Sequence, residues 1–361
     1  MLNKQASDRI DKLFEGYTIQ SATIYSKKRI LLILKESPDE NVGSYRDEDF
    51  RTEAILINAN YNKDKHGVAA SGWKKGVGYA WAAFLGDEKT GTVLCDSNCG
   101  TYEFESDEKW EKGSGWQDIA DKSDYSKTML RMLMGCRTIA DQTYIFGIAR
   151  KLYKRVGKQK WMDLTNEQEH PNLFADLVKV YKKKKNLGLG AMGFHALDGF
   201  NGNDIYGCGN KGDLWHYNGR VWMRLDLPTN ETMDALVCAG NGYVYVAGVG
   251  GQIFKGRYDP DKGESWKKLP FIMENYNSLA WFKDKVYIGV DSGLYTIDDK
   301  DEIKKYVFPE NGPVQYSFRE VTACDEALLS YGPNQAIMFD GEKWEYVAGK
   351  IIVHLPPEFM T

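Results

Sequence analysis

Apolar and polar positions alternate in short runs along most of this chain, and glycine-bearing turns cut the runs. From Ile205 the sequence reads IYGCGNKGDLWHY, and from Val244 it reads VYVAGVGGQIFKG. The two align without a gap: Tyr206 falls on Tyr245, Gly209 on Gly248, Gly212 on Gly251, and Leu214-Trp215 on Ile253-Phe254. VYIGVDSGLYT from Val286 follows with one residue fewer, which puts Tyr287 and Leu294-Tyr295 in the same places. LLSYGPNQAIMF from Leu328 aligns ungapped, with Gly332 and Ile337-Met338. Equivalent positions 206, 245, 287 and 329 are thus 39, 42 and 42 residues apart. Each copy runs on to a further aromatic, at Trp222, Trp266, Tyr306 and Trp344, and two earlier segments end the same way at Trp161 and Trp110.

Alternation with a period of two, broken by turn residues every 8 to 12 positions, predicts short antiparallel strands. Asn241-Gly242, Asn218-Gly219 and Asp340-Gly341 suit type I′ hairpins. A sheet of about 40 residues cannot bury both faces alone, so the copies must stack face to face. Closing the stack into a ring leaves only short edges. The expected fold is therefore all-β: a single β-propeller over residues 1–361. Six repeats fill 77–350, and residues 1–76, with TIYSKKRILLILK, TEAILINANY and Trp73, supply an irregular first blade. Seven blades of four antiparallel strands is the reading adopted, with six blades or an open ring as alternatives. KIIVHL, and the tail 351–361, are assigned to ring closure. A helical insertion is expected over 165–190, with Leu173, Phe174, Leu177 and Tyr181 on one stripe. A second insertion from Asp121 is read as a helix or a displaced inner strand.

On these residues the chain resembles the WD-repeat, YVTN and BNR superclass of propellers. DPDKGESW, 259–266, resembles the BNR Asp-box, with Asp259 replacing its first hydroxyl. The segments around GNDIYGCGNKGDLWHYNGRVWMRL and SLAWFKDKVYIGVDSGLYTI resemble bacterial propellers, many of which look like immunity proteins for polymorphic or secretion-system toxins. The resemblance implies a non-enzymatic binding propeller: a cytoplasmic immunity protein, monomeric when free, that occludes a cognate protein toxin or effector domain. A carbohydrate-binding or BNR-type glycan-active propeller and an assembly scaffold are the alternatives.

Bulk properties narrow the partners. The net charge of −4 argues against general nucleic-acid binding, which wants a basic surface. No signal-peptide pattern opens the chain and no run of 18 apolar residues occurs, so no membrane partner and a soluble, cytoplasmic protein are expected. The six cysteines are scattered and read as free thiols. Cys95 and Cys99 lack the further ligands that a zinc site needs, so neither a metal nor a cofactor is expected.

Candidate chemistry dissolves into the repeat. In register, Trp215 is a packing position like Phe254 and Tyr295, and His216 is an exposed counterpart of Lys255 and Thr296. Asp259, Asp261 and Gly263 could open a calcium loop, but its twelfth position is Pro270, not Glu. An Asp-box turn covers the same residues, with Asp261 accepting backbone hydrogen bonds and Trp266 burying its ring. Sialidase chemistry would need an arginine cluster that is not recognisable here. The five histidines show neither metal spacing nor a nucleophile partner. No catalytic residue is assigned.

Binding is expected on one rim. Loops after the second and fourth strands of a blade share a face, and the fourth-strand connections beginning at Pro228, Pro270 and Pro309 are the long ones. Long loops on a rigid scaffold are where binding usually lives. The candidate partner-binding residues are Asn210, Lys211, Asn275, Tyr276, Asp291, Gln315, Tyr316 and Asn334, with Lys182 and Lys183 from the insertion.

Overall fold

The computed structural model describes residues 16–37, 51–58, 68–74, 76–86, 91–105, 117–118, 132–166, 168–173, 192–309 and 318–349, together with Phe14 and Ala175. It contains seven four-stranded sheets, each built from four consecutive strands in chain order. Numbered along the chain, the blades span 17–74, 80–118, 133–163, 196–226, 233–268, 278–305 and 320–349. Neighbouring strands in a blade pair antiparallel, as in Tyr206 opposite His216 and Tyr245 opposite Lys255. The chain is a seven-bladed β-propeller.

The alternation has a direct structural consequence. The seven apolar clusters among the described residues each join two neighbouring blades. On the second strand of blade 1 (Arg29–Glu36), Ile30, Leu32 and Leu34 face blade 7, while Leu31 and Ile33 face blade 2. On the second strand of blade 5 (Val244–Gly248), Val244 and Val246 face blade 4, whereas Tyr245 and Ala247 face blade 6. Both faces of a blade are therefore buried, and each fully buried Val, Leu, Ile or Phe contributes about 1.5–3 kcal/mol relative to exposure. The blades cohere because no sheet has a dry face of its own.

Polar clasps cross the same junctions. Lys35 Nζ donates to the Val77 carbonyl at 2.7 Å between blades 1 and 2. Arg155 Nε meets Glu103 at 3.1 Å between blades 2 and 3. Arg137 makes a bidentate pair with Asp198, at 2.8 and 3.0 Å, between blades 3 and 4. Asp198 also accepts the Cys238 amide of blade 5 at 2.9 Å. Lys255 reaches Asp301 at 2.6 Å between blades 5 and 6, and the Val321 amide reaches Ser278 Oγ at 2.7 Å between blades 6 and 7.

The described seam of the ring lies between blades 7 and 1. Blade 7 is complete at Trp344–Gly349, and blade 1 takes all four strands from 17–74. The seam is held by an apolar cluster of both blades and by the Ile19 amide donating to the Pro333 carbonyl at 2.8 Å. KIIVHL and the tail lie outside the described residues.

Other expectations shift in detail. The fourth strand of blade 2 is Gln117–Asp118, beyond Trp110. The inner strand of blade 3 is Leu133–Ile139, so the end of the second insertion is indeed strand. Of the helical insertion, the described part shows a short 3-10 turn, Pro171–Leu173, with Leu173 buried; Phe174, Leu177 and Tyr181 lie outside the described residues. The fourth repeat is not ungapped: Leu329 pairs with Met338 where Tyr206 pairs with His216, so its central turn is one residue shorter.

The turns work differently from type I′ hairpins. Gly242, Gly219 and Gly341 are left-handed (φ 82°, 87° and 102°), but Asn241, Asn218 and Asp340 are not. Those side chains instead accept backbone amides two or three residues on, the Asx arrangement that stabilises a turn locally. In the turn between the first two strands of blade 6, by contrast, Lys283 and Asp284 both have positive φ, 47° and 60°.

Candidate functional site

The turns between second and third strands and the connections between blades meet on one face. Gly212 and Gly251 explain the repeat's glycine. Both are left-handed, at φ 65° and 67°, and a Cβ there would lie 2.2 Å from the Thr229 carbonyl or 1.7 Å from that of Ile272. Only glycine permits the connection to press this closely on the turn. The Gly212 amide donates to the Glu231 carbonyl at 2.7 Å, locking the two segments together.

A channel of about 470 Å³ runs along the ring axis, lined by the innermost strands of all seven blades. At the end facing these loops lie His195, Asp234, Asn277, Ser278 and Glu320. His195 Nδ1 sits 2.8 Å from Asp234, and its Nε2 sits 3.0 Å from the Asn210 amide nitrogen. Asn210 Oδ1 in turn accepts the Thr232 hydroxyl at 2.7 Å. Thus Asn210, one of the expected partner-binding residues, latches blade 4 to blade 5 at the mouth. Both imidazole nitrogens are hydrogen-bonded within the protein.

Carboxylates crowd the mouth. Glu320 is pushed up to about 8, first by burial and then by Asp291 and Asp234, against the opposing influence of Arg319 and Ser278. Its side chain keeps about 30% exposure to the channel, and Arg319 stands 4.0 Å from it and 3.9 Å from Asp291. Asp291 is exposed and accepts the Asn277 side-chain amide at 3.1 Å.

The connection from blade 5 to blade 6 is braced throughout. Asn275 accepts the Gly250 amide at 2.9 Å, and Glu274 accepts the Ser292 hydroxyl at 2.5 Å and its amide at 3.3 Å. Tyr276 corrects the expectation of an interface anchor. It is 1% exposed, packs in the core between blades 5 and 6, and its hydroxyl accepts the Ile272 amide at 3.2 Å. Burial within its own loop pushes its phenol up. Lys211, Asn275, Asp291 and Asn334 are exposed on this rim, whereas Gln315, Tyr316, Lys182 and Lys183 lie outside the described residues. The residues missed from sequence are Phe271 and Met273, which the same braced connection exposes at 62% and 93%.

The opposite face holds the remaining motifs. His216 is buried, not exposed. It stacks on Tyr206 with centroids 4.5 Å apart, and its Nε2 lies 2.8 Å from Asp204, which also takes Arg257 at 3.0 Å. His216 and Arg257 hold Asp204 below the usual carboxylate range, burial notwithstanding. Trp215 is a buried packing residue as expected. In the Asp-box it is Asp259, not Asp261, that accepts the backbone amides, those of Asp261 at 2.8 Å and Lys262 at 3.1 Å. Trp266 is only half-buried, its N–H reaching Glu264 at 3.1 Å. Asn218, Asp298 and Asp340 cap the equivalent turns of other blades. The box is therefore a turn device shared around the ring. None of the six cysteines forms a disulfide, and burial pushes Cys95, Cys208 and Cys238 well up.

Comparison with known proteins adds a functional pointer. No family model matches the chain. It is 28% identical over 214 residues to the immune protein Tsi7 of Pseudomonas aeruginosa. That match spans 59% of this chain and 63% of the relative's length. Among solved structures, the fold is shared with a catalytically inactive virginiamycin B lyase of Staphylococcus aureus in complex with quinupristin. There the TM-score is 0.55, the identity 8%, and the coverage 91% of this chain and 94% of the lyase. It is shared also with Sqt1 of Saccharomyces cerevisiae, at TM-score 0.55 and 11% identity, over 92% of this chain and 86% of that one. At such identities the likeness concerns the fold alone.

Proposed function

We propose that this protein is an immunity protein that binds a cognate toxin in the cytoplasm and occludes it, with no chemistry of its own. The observation that carries the reading is the similarity to the immune protein Tsi7 over 214 residues. The scaffold suits such a role, because seven mutually buried blades present their connecting loops from a rigid frame, and rigid presentation keeps the ordering cost of binding low.

The test is co-expression with the toxin domain encoded beside this chain's gene. The two proteins should copurify as a stoichiometric complex of about nanomolar affinity or tighter, and removing this chain should kill toxin-expressing cells. Cells that survive toxin expression without this protein would refute the proposal.

A further inference from the structure

We infer that the partner docks on the loop-bearing face through the blade 5–6 connection and offers it an apolar patch flanked by lysine or arginine. This inference rests on the protein-binding reading and specifies its surface and the chemistry of what it receives.

Three observations converge. Phe271 and Met273 stand in solvent on a connection that is otherwise pinned at every step: by Gly250 to Asn275, by Ser292 to Glu274, and by Tyr276 beneath Ile272. Scattered apolar residues on a surface are ordinary, but two displayed by one rigid loop are pre-organised for contact. Val307, 85% exposed, is a further exposed apolar side chain, on the next connection. Methionine and phenylalanine are also the side chains enriched in interface cores.

Charge defines the rest of the occupant. Inward of these residues, the rim of the mouth carries the carboxylates of Asp234, Glu274 and Asp291, with His195 2.8 Å from Asp234 and Arg319 3.9 Å from Asp291. Lys268 and Lys305, on the outermost strands of blades 5 and 6, reach back over the turns of this face, Lys268 Nζ to Gln252 at 3.5 Å and the Lys305 side chain to Gly293. A partner carrying acidic groups inward of its apolar anchor would be repelled; a basic one is attracted and steered. On the opposite face Asp204 is paired with both His216 and Arg257.

Two arms test this independently. In the first, the toxin domain encoded beside this gene is titrated with wild type, Met273→Asp, Phe271→Asp and Val221→Asp, the last an exposed site in an opposite-face turn. Met273→Asp or Phe271→Asp should weaken binding by about 30-fold or more, the size of an interface hot spot, and Val221→Asp should bind as wild type. All three retain the thermal transition of the wild type, because none of the replaced side chains is buried. Wild-type binding that survives both top-face changes overturns the docking surface while leaving the immunity reading intact.

The second arm needs no toxin. Two short peptides share one apolar centre, flanked in one by lysines and in the other by glutamates, and are titrated against protein labelled at its methionine methyls. The lysine peptide should shift the Met273 methyl resonance, and Asp291→Asn should weaken it by about two- to fivefold. Failure of both peptides to move Met273, or equal binding of the two, overturns the inference. Absence of any binding between the toxin domain and the wild type, with the lysine peptide still shifting Met273, condemns the immunity reading instead.

Discussion

Replacing Arg150 with methionine should cost more stability than any surface substitution in the molecule. Arg150 is fully buried at the junction of blades 3 and 4, held in a left-handed conformation at φ 57°. Its Nε and Nη2 donate to the two oxygens of Asp213 at 2.6 and 2.9 Å. Nη1 donates to the Leu173 carbonyl, anchoring the start of the insertion, and the guanidinium lies 4.7 Å over the Trp215 ring. Arg150→Met leaves Asp213, 2% exposed, with the Trp215 indole N–H at 2.8 Å as its remaining side-chain donor among the described residues. Breaking a buried pair from one side costs about 3–5 kcal/mol, whereas replacing both partners by apolar residues is often near neutral. Urea unfolding followed by tryptophan fluorescence should therefore show a large midpoint loss for Arg150→Met and substantial recovery in Arg150→Met with Asp213→Leu. A loss below about 1 kcal/mol, the scale of an exposed pair, or a double variant no better than the single one, would refute this reasoning.

Three further outcomes follow from the same geometry. Gly251→Ala should destabilise by about 2 kcal/mol or more, since it combines a strained positive φ with a Cβ driven against the Ile272 carbonyl; unchanged thermal unfolding would contradict it. Glu320, raised to about 8 from an ordinary 4.5, keeps its proton in the folded state after the unfolded chain has lost it. Its favourable contribution is thus complete below pH 4.5 and is lost as pH rises through about 8, so Glu320→Gln should gain stability relative to wild type across that window, by about 1–2 kcal/mol after allowance for channel water. A difference that stays constant with pH would exclude this titration. His216→Phe should stay within about 1 kcal/mol of wild type by chemical denaturation, because the stack between Tyr206 and Tyr258 survives and the buried, partnerless Nδ1 disappears; a loss of about 3 kcal/mol would show that its bond to Asp204 dominates.

What the sequence made legible was the part of the fold that repeats. Tyr206, Tyr245 and Tyr287 hold equivalent places because each second strand faces a neighbouring blade on both sides, and Gly212 and Gly251 recur because each turn abuts a connection. The non-repeating features stayed hidden. Arg150 with Asp213, Arg137 with Asp198, and Arg155 with Glu103 pair residues 52 to 63 positions apart across junctions, and no spacing within a repeat announces them. His216 looked exposed because Lys255 and Thr296 share its register, yet Asp204 and two tyrosine rings draw it inward. On the candidate rim, spacing located the loop but not the direction of its side chains. Tyr276 turns beneath its own connection, and Phe271 and Met273 turn out. Ring direction there is set by the brace on Ile272 and Asn275, which is a tertiary fact.

The most direct test of the account is hydrogen exchange of this protein with and without its neighbouring toxin domain. Binding should slow exchange in the connections 228–232 and 270–277 and in the turns around Gly250 and Ser292, leaving 218–221 and 241–243 unchanged. Protection confined to those opposite-face turns, or no protection anywhere at saturating toxin, would contradict it.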